Sequence, residues 1–493
     1  MSVTENPFDR RRSGVLLHPT SLPGKWGRGD LGPEAYRFIE FLAAAGQTVW
    51  QALPLGPTHA DLSPYQCLSV HAGNPELISP DLLVADGWLT QEELRQLDGE
   101  HGDGFRERLI GHAYRGFLDR ASEQDKSRYE AFIQAHAHWL DDFALYRALR
   151  RRHGGAPWNQ WAVPLRDRQA EALSQVRLED GDYVGQVFFE QYVFFIQWSD
   201  LKSYANAREI LLFGDLPIFV AYDSADVWAR RQFFKLSGDG RPEVIAGVPP
   251  DYFSATGQRW GNPHYHWERL QGDGFRWWID RISSQLELFD IIRIDHFRGF
   301  EAYWEIPIDE PTAINGRWVK APGDELFKAL RDHFGSLPLV AEDLGVITAE
   351  VTRLRENYGL PGMKILQFAF DSDARNPYLP HNHESSSVVY TGTHDNDTTL
   401  GWYSKMSPLQ AHYVDEYLGG ADEAMPWPLI RCALESVARL SIIPMQDILM
   451  LGSEHRMNTP GTEQGNWTWR FIWDQLNEDL TRKLAHLTAL YGR

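Results

Sequence analysis

Three segments of the chain end an apolar run with an acidic side chain, and they hold the first candidates for chemistry. The sequences Ile-Ile-Arg-Ile-Asp, Leu-Val-Ala-Glu and Val-Val-Tyr-Thr-Gly-Thr-His-Asp end at Asp295, Glu342 and Asp395. Apolar and β-branched runs of this length favour buried strands. In an α/β barrel the carboxyl ends of all strands meet at one face. We therefore expect the three carboxyl groups to converge there.

Carboxyl groups placed in this way suit the cleavage of a glycosidic bond. One carboxylate attacks the anomeric carbon, while a second, kept protonated, delivers a proton to the departing oxygen. Arg293 precedes Asp295 by two residues, so the two share a strand face. A charged pair at the end of an apolar strand is costly to bury unless it is paired or used. One acid at a strand end is as well explained by a structural ion pair. Three such acids favour catalysis.

The elements that must position these acids follow a repeating pattern. An apolar strand at 14–18, an amphipathic helix at 34–45 and a second strand at 47–53 form a β-α-β unit, with Pro33 at the helix start and Gly46 just past its end. Helical patterns, such as 324–334 and 349–358, separate most later strands. The later strands are predicted at 209–213, 290–295, 338–342, 363–368, 388–393 and 442–446. Eight strands predict a (β/α)₈ TIM barrel.

Three stretches fall outside the repeat. Residues 57–202 are predicted to form a helical subdomain inserted after strand two. Residues 220–288, rich in aromatic residues and glycine, are predicted to form a loop-rich subdomain inserted after strand three. Residues 452–469 form a loop after strand eight. All three leave from carboxyl ends of strands, so we expect them to surround one mouth of a single catalytic domain that spans residues 1–493.

The bulk composition narrows the class of protein. The chain has 493 residues and a formal net charge of −20, which argues against a nucleic-acid partner. Its two cysteines give no disulfide framework. The N-terminus lacks the apolar core of a signal peptide, and no apolar run approaches the roughly 20 residues of a membrane helix. We expect a cytoplasmic protein with no membrane contact. The sequence does not indicate its oligomeric state.

Two sequence patterns match motifs of other functional classes, dinucleotide binding and metal binding, but neither is well supported here. Gly27-Arg28-Gly29-Asp30-Leu31-Gly32 matches a dinucleotide-binding fingerprint, but the strand that follows ends without the acid that would hold a ribose. A loop is the favoured interpretation. The chain also contains three His-x-His pairs, which keep a metal-dependent barrel hydrolase as a weaker alternative. That alternative would gain support if Asp215, Asp295, Glu342 or Asp395 formed one zinc cluster. The pairs are His136/His138, His264/His266 and His381/His383.

Taken together, the sequence motifs resemble those of the amylomaltases, or 4-α-glucanotransferases, of the α-amylase clan. The resemblance runs from Gly14 to about Trp469, and the complete set of motifs is highly specific. Four blocks are those of the clan: Gly214–Val220, Arg293–Arg298, Ala341–Gly345 and Gly392–Asn396. Four more are marks of the family itself: His18–Gly24, Leu62–Tyr65, Gly247–Phe253 and Glu463–Trp467.

The resemblance implies a role for each matching residue. Asp295 would be the nucleophile, oriented by Arg293, and Glu342 would be the general acid and then the general base. Asp395 would bind sugar hydroxyls and stabilise the oxocarbenium-like transition state, with His394 as a second contact. The implied substrate contacts are Ser63, Tyr65, Asp215 and Asn466 near the cleavage point, and Asp251, Phe253, Gln258 and Trp260 on the acceptor side. Simple loop packing stays an alternative for Phe253 and Trp260.

The expected enzyme is a retaining 4-α-glucanotransferase that needs neither a metal nor an organic cofactor. Its implied partners are maltooligosaccharides and glucans derived from starch or glycogen. An α-1,4-glucan hydrolase using the same residues is the closest alternative. A non-catalytic glucan-binding protein is a further one, because aromatic residues in loops bind sugars without any acids. That last alternative leaves three acids at strand ends unexplained.

Overall fold

The computed structural model describes residues 6–98, 104–250, 254–420, 423–462 and 464–493. Twelve strands are found in this part of the chain and form two sheets. In chain order they are β1 (Arg12–Leu16), β2 (Val49–Gln51), β3 (Leu211–Pro217), β4 (Val244–Val248), β5 (Gln258–Pro263), β6 (Ile291–Asp295), β7 (Ala302–Pro307), β8 (Arg317–Lys320), β9 (Leu339–Ala341), β10 (Gly362–Ile365), β11 (Ser387–Tyr390) and β12 (Leu440–Pro444).

Eight of the strands form a parallel sheet that closes into a barrel. Their order is β10-β11-β12-β1-β2-β3-β6-β9, and every pairing is parallel. The two ends of this order meet where the Ala341 amide donates to the Pro361 carbonyl at 2.8 Å. The predicted (β/α)₈ barrel is confirmed, and each of the eight predicted strands overlaps an observed one. Apolar side chains fill the barrel on both faces of the strands.

The same described stretches contain nineteen α-helices. The first nine are α1 (Pro33–Ala44), α2 (Pro80–Ala85), α3 (Gln91–Asp98), α4 (Phe105–Arg120), α5 (Glu123–Ala135), α6 (Ala137–Arg152), α7 (Val163–Arg166), α8 (Ala170–Glu179) and α9 (Gly181–Asn206). The others are α10 (Ala225–Ala229), α11 (Trp267–Gly272), α12 (Arg276–Leu288), α13 (Gly323–Phe334), α14 (Ala349–Asn357), α15 (Thr399–Ser404), α16 (Pro408–Tyr417), α17 (Trp427–Glu435), α18 (Met445–Ile448) and α19 (Glu478–Leu490).

The ends of α1 show how local sequence sets the barrel helices. Pro33 occupies the first turn, where a missing N–H costs nothing, and Gly46 follows the helix with a φ of +71°. The buried face of α1 carries Phe38 and Leu42, which pack into the main core. After β2, helices α2 to α8 lie in the predicted insertion, and α9 continues past residue 202 to pack against β3 and α1. That the insertions act as subdomains of one domain stays a prediction.

The second sheet is antiparallel, in the order β5-β4-β7-β8. None of its four strands was predicted from the sequence: β4 and β5 lie within the predicted loop-rich insertion at 220–288, and β7 and β8 lie beyond it. Strands β7 and β8 follow the barrel strand β6. Strand β7 pairs with both β4 and β8, which places Trp304 opposite Gly247 on one side and Trp318 on the other. Gln258 and Trp260, two of the predicted acceptor-side residues, therefore lie in a sheet built from two separate stretches of chain. None of the helices in the described residues has the length and apolar character needed to cross a membrane.

Candidate active site

A buried arginine joins two of the predicted acids at the mouth of the barrel. Strands β3 and β6 place Asp215 directly opposite Arg293. Arg293 Nη1 donates to both Asp215 carboxylate oxygens at 2.8 and 2.7 Å, and its Nη2 donates to Asp295 Oδ1 at 2.8 Å. Asp215 is 1% exposed and Arg293 is 5% exposed, whereas the Asp295 side chain is 31% exposed. The guanidinium thus lies beneath Asp295 and leaves its other oxygen facing the mouth.

Glu342 lies beside Asp295 because their strands are neighbours in the barrel. Ile294 pairs with Ala341, so the next residue along each strand carries one of the two acids. Glu342 Oε2 accepts a hydrogen bond from the His296 amide at 2.7 Å, and Oε1 accepts one from the Leu344 amide at 3.0 Å. His296 reaches this position in the left-handed region, with a φ of +56°. That turn ends β6 and directs its N–H towards the carboxyl of the adjacent strand.

Asp395 approaches the same mouth from beyond β11. Its Oδ1 accepts a hydrogen bond from the Asn458 side-chain amide at 2.6 Å, and its Oδ2 lies 3.4 Å from His394 Nε2. The Asp395 side chain is 49% exposed, whereas His394 is buried. Asp395 is therefore held from two sides and open towards the mouth.

Aromatic rings form one wall of the site. Tyr65, from the loop after β2, donates to Asp215 Oδ2 at 2.9 Å. Its ring is stacked on His394 with 5.1 Å between centroids, and Trp467 lies 6.0 Å from Tyr65 and 5.9 Å from His394. Three segments that are far apart in sequence thus build one wall, as expected for insertions that leave from the same barrel face.

A residue of the second sheet, Trp260 on β5, also borders the site. The ring of Trp260 meets His296 edge-on at 4.9 Å, and its Nε1 donates to Gln258 Oε1 at 3.1 Å. His296 is the residue that binds Glu342, so Trp260 borders the predicted general acid. Asp251 and Phe253 were also predicted on the acceptor side, but they lie outside the described residues.

Ser63 and Asn466 mainly shape their loops. The Ser63 hydroxyl accepts from the Tyr65 amide at 3.4 Å and so supports the turn that presents Tyr65. Asn466 Oδ1 accepts from the Thr459 amide at 2.9 Å, and its Nδ2 donates to the Thr462 carbonyl at 2.9 Å. Both residues lie next to the aromatic wall, and their direct contact with a sugar stays a prediction.

Burial and charge separate the pKa values of the three acids. Burial raises the pKa of Glu342 to about 7, with Arg293 opposing and Asp295 assisting the shift. Burial also raises the pKa of Asp295, although the Arg293 charge lowers it. Burial acts to raise the pKa of Asp395 as well, but the charge and hydrogen bond of His394 outweigh it, and the pKa falls well below its usual range. The site therefore holds Glu342, whose pKa is near neutral, together with Asp395, which stays ionised.

The two weaker motifs have structural explanations. In the glycine-rich loop, the Gly32 amide donates to Asp30 Oδ1 at 2.9 Å, and a Cβ on Gly29 would lie 2.1 Å from the Pro19 carbonyl oxygen. Glycine therefore serves close packing there. The metal alternative meets a different obstacle, because Asp215 and Asp295 already share the guanidinium of Arg293. The described residues contain no group of three His, Cys, Asp or Glu side chains placed to hold a metal ion.

Sequence reasoning missed the groups that hold the acids in place. The amides of His296 and Leu344 are main-chain donors, which no residue type signals. Arg456 and Asn458 lie in the segment 452–469, which was predicted only as a loop. Their partner, Asp395, is 63 residues away from Asn458 in sequence. Such a contact is visible only once the barrel has brought the two loops together.

The fold and the site together define a class of enzyme. A parallel barrel with acids at its strand ends and aromatic side chains around its mouth is typical of enzymes that act on carbohydrates. The chain matches the family model described as 4-alpha-glucanotransferase over residues 17–474. It belongs to this family, as the sequence motifs predicted, and it is an enzyme of the 4-alpha-glucanotransferase class.

Individual relatives agree with the family model. The 4-alpha-glucanotransferase of Thermus thermophilus is 50% identical, with 98% of this chain and 99% of the relative covered. The chloroplastic/amyloplastic enzyme of Solanum tuberosum is 44% identical, with coverages of 99% and 87%. Among solved structures, the amylomaltase from Streptococcus agalactiae in complex with acarbose superposes with a TM-score of 0.94 and 38% identity, over 98% of this chain and 100% of that one.

Proposed function

We propose that the enzyme transfers α-1,4-glucan segments between maltooligosaccharides, or glucans derived from starch or glycogen, through a covalent glucosyl intermediate on Asp295. One observation carries this proposal. Arg293 holds Asp295 from below, while Glu342, with a pKa of about 7, lies at the end of the adjacent strand. Retention requires carboxyl groups about 5–5.5 Å apart, and an acid at the end of each of two neighbouring strands supports an arrangement of that kind.

The proposed reaction has two displacements at the same carbon. In the first, an Asp295 oxygen attacks the anomeric carbon of the donor, the bond to the leaving O4 breaks, and Glu342 gives that oxygen its proton. In the second, the 4-hydroxyl of an acceptor glucan gives its proton to Glu342 and attacks the same carbon, which releases Asp295 as a carboxylate. Two inversions restore the α configuration, and Glu342 ends protonated, as it began.

The remaining charged groups fit supporting roles. Arg293 stabilises the Asp295 carboxylate when it leaves and cannot itself donate the proton, because a guanidinium stays charged at working pH. Asp395 stays ionised throughout, so it can accept hydrogen bonds from sugar hydroxyls and stabilise positive charge that develops on the ring. Tyr65 and Trp467 offer flat faces to the same sugar.

The hydrolase alternative differs only in the acceptor, so the products of one substrate decide between them. Incubated with maltotriose, a transferase gives glucose together with longer maltooligosaccharides, and the number of reducing ends stays constant. A hydrolase gives only shorter sugars, and each cleavage adds one reducing end. We expect chain lengthening at constant reducing ends. Products no longer than maltotriose, with rising reducing ends, would show that water is the working acceptor.

The pH profile should follow the two carboxyl groups. Cleavage needs Glu342 protonated and Asp295 ionised, so kcat/KM for maltotriose should fall as pH rises through about 7. The raised pKa of Asp295 places the acidic limb above the ordinary range of an aspartate. Fluoride needs little help to leave, so the first step with α-maltosyl fluoride should lose the alkaline limb. A profile for maltotriose that stays flat to pH 9 would contradict the role of Glu342.

Trp260 should favour an acceptor sugar over water. Water is present at ~55 M, so transfer wins only if the site binds the acceptor and keeps water poorly placed. Trp260→Ala should raise the ratio of hydrolysis to transfer more than it lowers donor cleavage, and the same should hold when Phe253 is also replaced. The ratio is measured as new reducing ends against released glucose on maltotriose.

Trp318 offers a matched control for this prediction. It is an exposed tryptophan at the opposite edge of the same sheet, on β8 rather than β5. Trp318→Ala should leave the ratio unchanged. If Trp260→Ala lowers total activity without changing the ratio, the residue only packs the loop, and acceptor preference is set elsewhere.

A further inference from the structure

The loop after β12 contacts Asp395 at two points, and neither contact is explained by packing alone. Asn458 Nδ2 donates to the Asp395 carboxylate at 2.6 Å, while Arg456 Nη2 donates to the Asp395 main-chain carbonyl at 2.7 Å. Arg456 Nε also donates to the Asn458 main-chain carbonyl at 3.0 Å. One guanidinium therefore ties together the two residues whose side chains meet.

We propose that Asn458 and Arg456 are positioning residues that hold the Asp395 carboxylate in its working orientation for glucosyl transfer. The inference rests on the proposed role of Asp395. It assigns Asn458 to the carboxylate itself and Arg456 to the register of the loop that presents Asn458. Neither residue needs to touch the substrate.

Asp395 requires such support because neither strand β11 nor burial fixes the orientation of its side chain. Its side chain is 49% exposed, and it lies five residues beyond the end of β11, where the strand no longer fixes its direction. His394 faces only one carboxylate oxygen, at 3.4 Å. The amide of Asn458 binds the other oxygen, so both rotations of the carboxylate are opposed. An unsupported aspartate would sample several rotamers, which is costly where the reaction depends on geometry.

The loop is itself anchored firmly enough to act as a support. Met457, between the two positioning residues, is buried in the core that lies beneath the aromatic wall. Its carbonyl accepts from the Trp467 amide at 2.7 Å, and the Thr459 amide donates to Asn466 at 2.9 Å. The segment is therefore fixed on both sides of Asn458. These contacts fix the position from which the Asn458 side-chain amide donates to Asp395.

The first test removes the amide. Asn458→Ala should lower kcat about 10²-fold, with a small change in KM, on both maltotriose and α-maltosyl fluoride. Its Tm should stay close to that of the unmodified enzyme, because the Arg456 guanidinium still donates to the main-chain carbonyls of Asp395 and Asn458. Asn382→Ala is the control, since that side-chain amide donates to the main-chain carbonyls of Ala374 and Asn376 and not to one of the three acids. It should keep full activity.

A second variant separates positioning from mere structure. In Asn458→Asp, a single proton shared with Asp395 recreates the hydrogen bond, whereas loss of that proton leaves two facing carboxylates that repel. With α-maltosyl fluoride, the activity of this variant should approach that of the unmodified enzyme when both are measured at acidic pH. It should fall below that of the unmodified enzyme as pH rises. Asn458→Ala should instead be reduced uniformly across pH. Equal, pH-independent losses in the two variants would overturn the proposal.

The third test asks whether Asn458 acts through Asp395. In an Asp395→Asn background, adding Asn458→Ala should change the rate on α-maltosyl fluoride less than twofold, because the partner it positions is already disabled. A full 10²-fold further loss would overturn the inference. If Asp395→Asn alone keeps normal activity, the proposed role of Asp395 fails instead. If Asp395→Asn is impaired but Asn458→Ala is not, only the positioning inference fails.

Discussion

Asp295→Asn should abolish turnover on maltotriose, with a loss on the order of 10⁴-fold or more. An amide cannot form the glucosyl ester, and loss of a covalent nucleophile removes the step on which both displacements depend. The fold should persist, because Arg293 keeps its two contacts with Asp215 at 2.8 and 2.7 Å. Initial rates on maltotriose and thermal unfolding measure the two effects separately. A variant that keeps a tenth of the original activity would remove Asp295 from the role of nucleophile.

Asp290 provides the matched control at the other end of the same strand. It precedes β6, and its Oδ2 accepts from the Leu212 amide at 2.8 Å and from Asn206 at 3.0 Å. Asp290→Asn should lower the free energy of unfolding by about 1–3 kcal/mol, as expected when a charged hydrogen-bond acceptor is weakened. Its kcat should be retained. Asp295→Asn should therefore lose activity and keep stability, whereas Asp290→Asn should lose stability and keep activity.

Replacement of Glu342 should have the second largest effect, and the effect should depend on the leaving group. Loss of the general acid and base should lower the rate on maltotriose about 10²–10⁴-fold. The first step with α-maltosyl fluoride should be nearly unaffected. Both Glu342→Gln and Glu342→Ala are needed, because each carboxylate oxygen accepts a main-chain N–H and the glutamine –NH₂ would face one of these donors. Agreement between them assigns the loss to proton transfer.

Azide provides a further check on Glu342. In Glu342→Ala the second displacement lacks a base, and azide, which has no proton to lose when it attacks, should restore turnover of α-maltosyl fluoride. The product should be the α-maltosyl azide, because azide attacks the β-linked ester from the face that Glu342 occupied and this second inversion restores the α configuration. An equal loss on maltotriose and the fluoride, with no effect of azide, would show that Glu342 acts on the fold or on binding and not on the proton.

The sequence predicted those parts of the structure that are encoded locally. Each barrel strand is a short apolar run, and each acid follows its run directly, so Asp295 and Glu342 could be placed from spacing alone. Helix α1 was predicted from its apolar face and from Pro33 and Gly46. These signals lie within about a dozen residues, where periodicity and capping act.

The parts that the sequence did not predict depend on partners that are distant along the chain. Strands β7 and β8 contain aromatic and β-branched residues, such as Trp304 and Trp318, but their role follows from the pairing of β7 with β4 and of β8 with β7. The amide of His296 carries no side-chain signal. Asn458 finds Asp395 only when two loops on neighbouring strands meet. The strand pattern located the acids and the family resemblance gave them roles, whereas only the structure located the groups that hold them.

The central claim is that a glucosyl group is held on Asp295, and intact-protein mass spectrometry tests it most directly. Glu342→Ala mixed with α-maltosyl fluoride, without azide, should form the ester and lack the base to release it. The account predicts a mass increase of one maltosyl unit, mapped by peptic digestion at low pH to the peptide that contains Asp295. The double variant with Asp295→Asn should show no increase. A label on Asp395 or another residue, or hydrolysis of the fluoride without any adduct, would contradict the account.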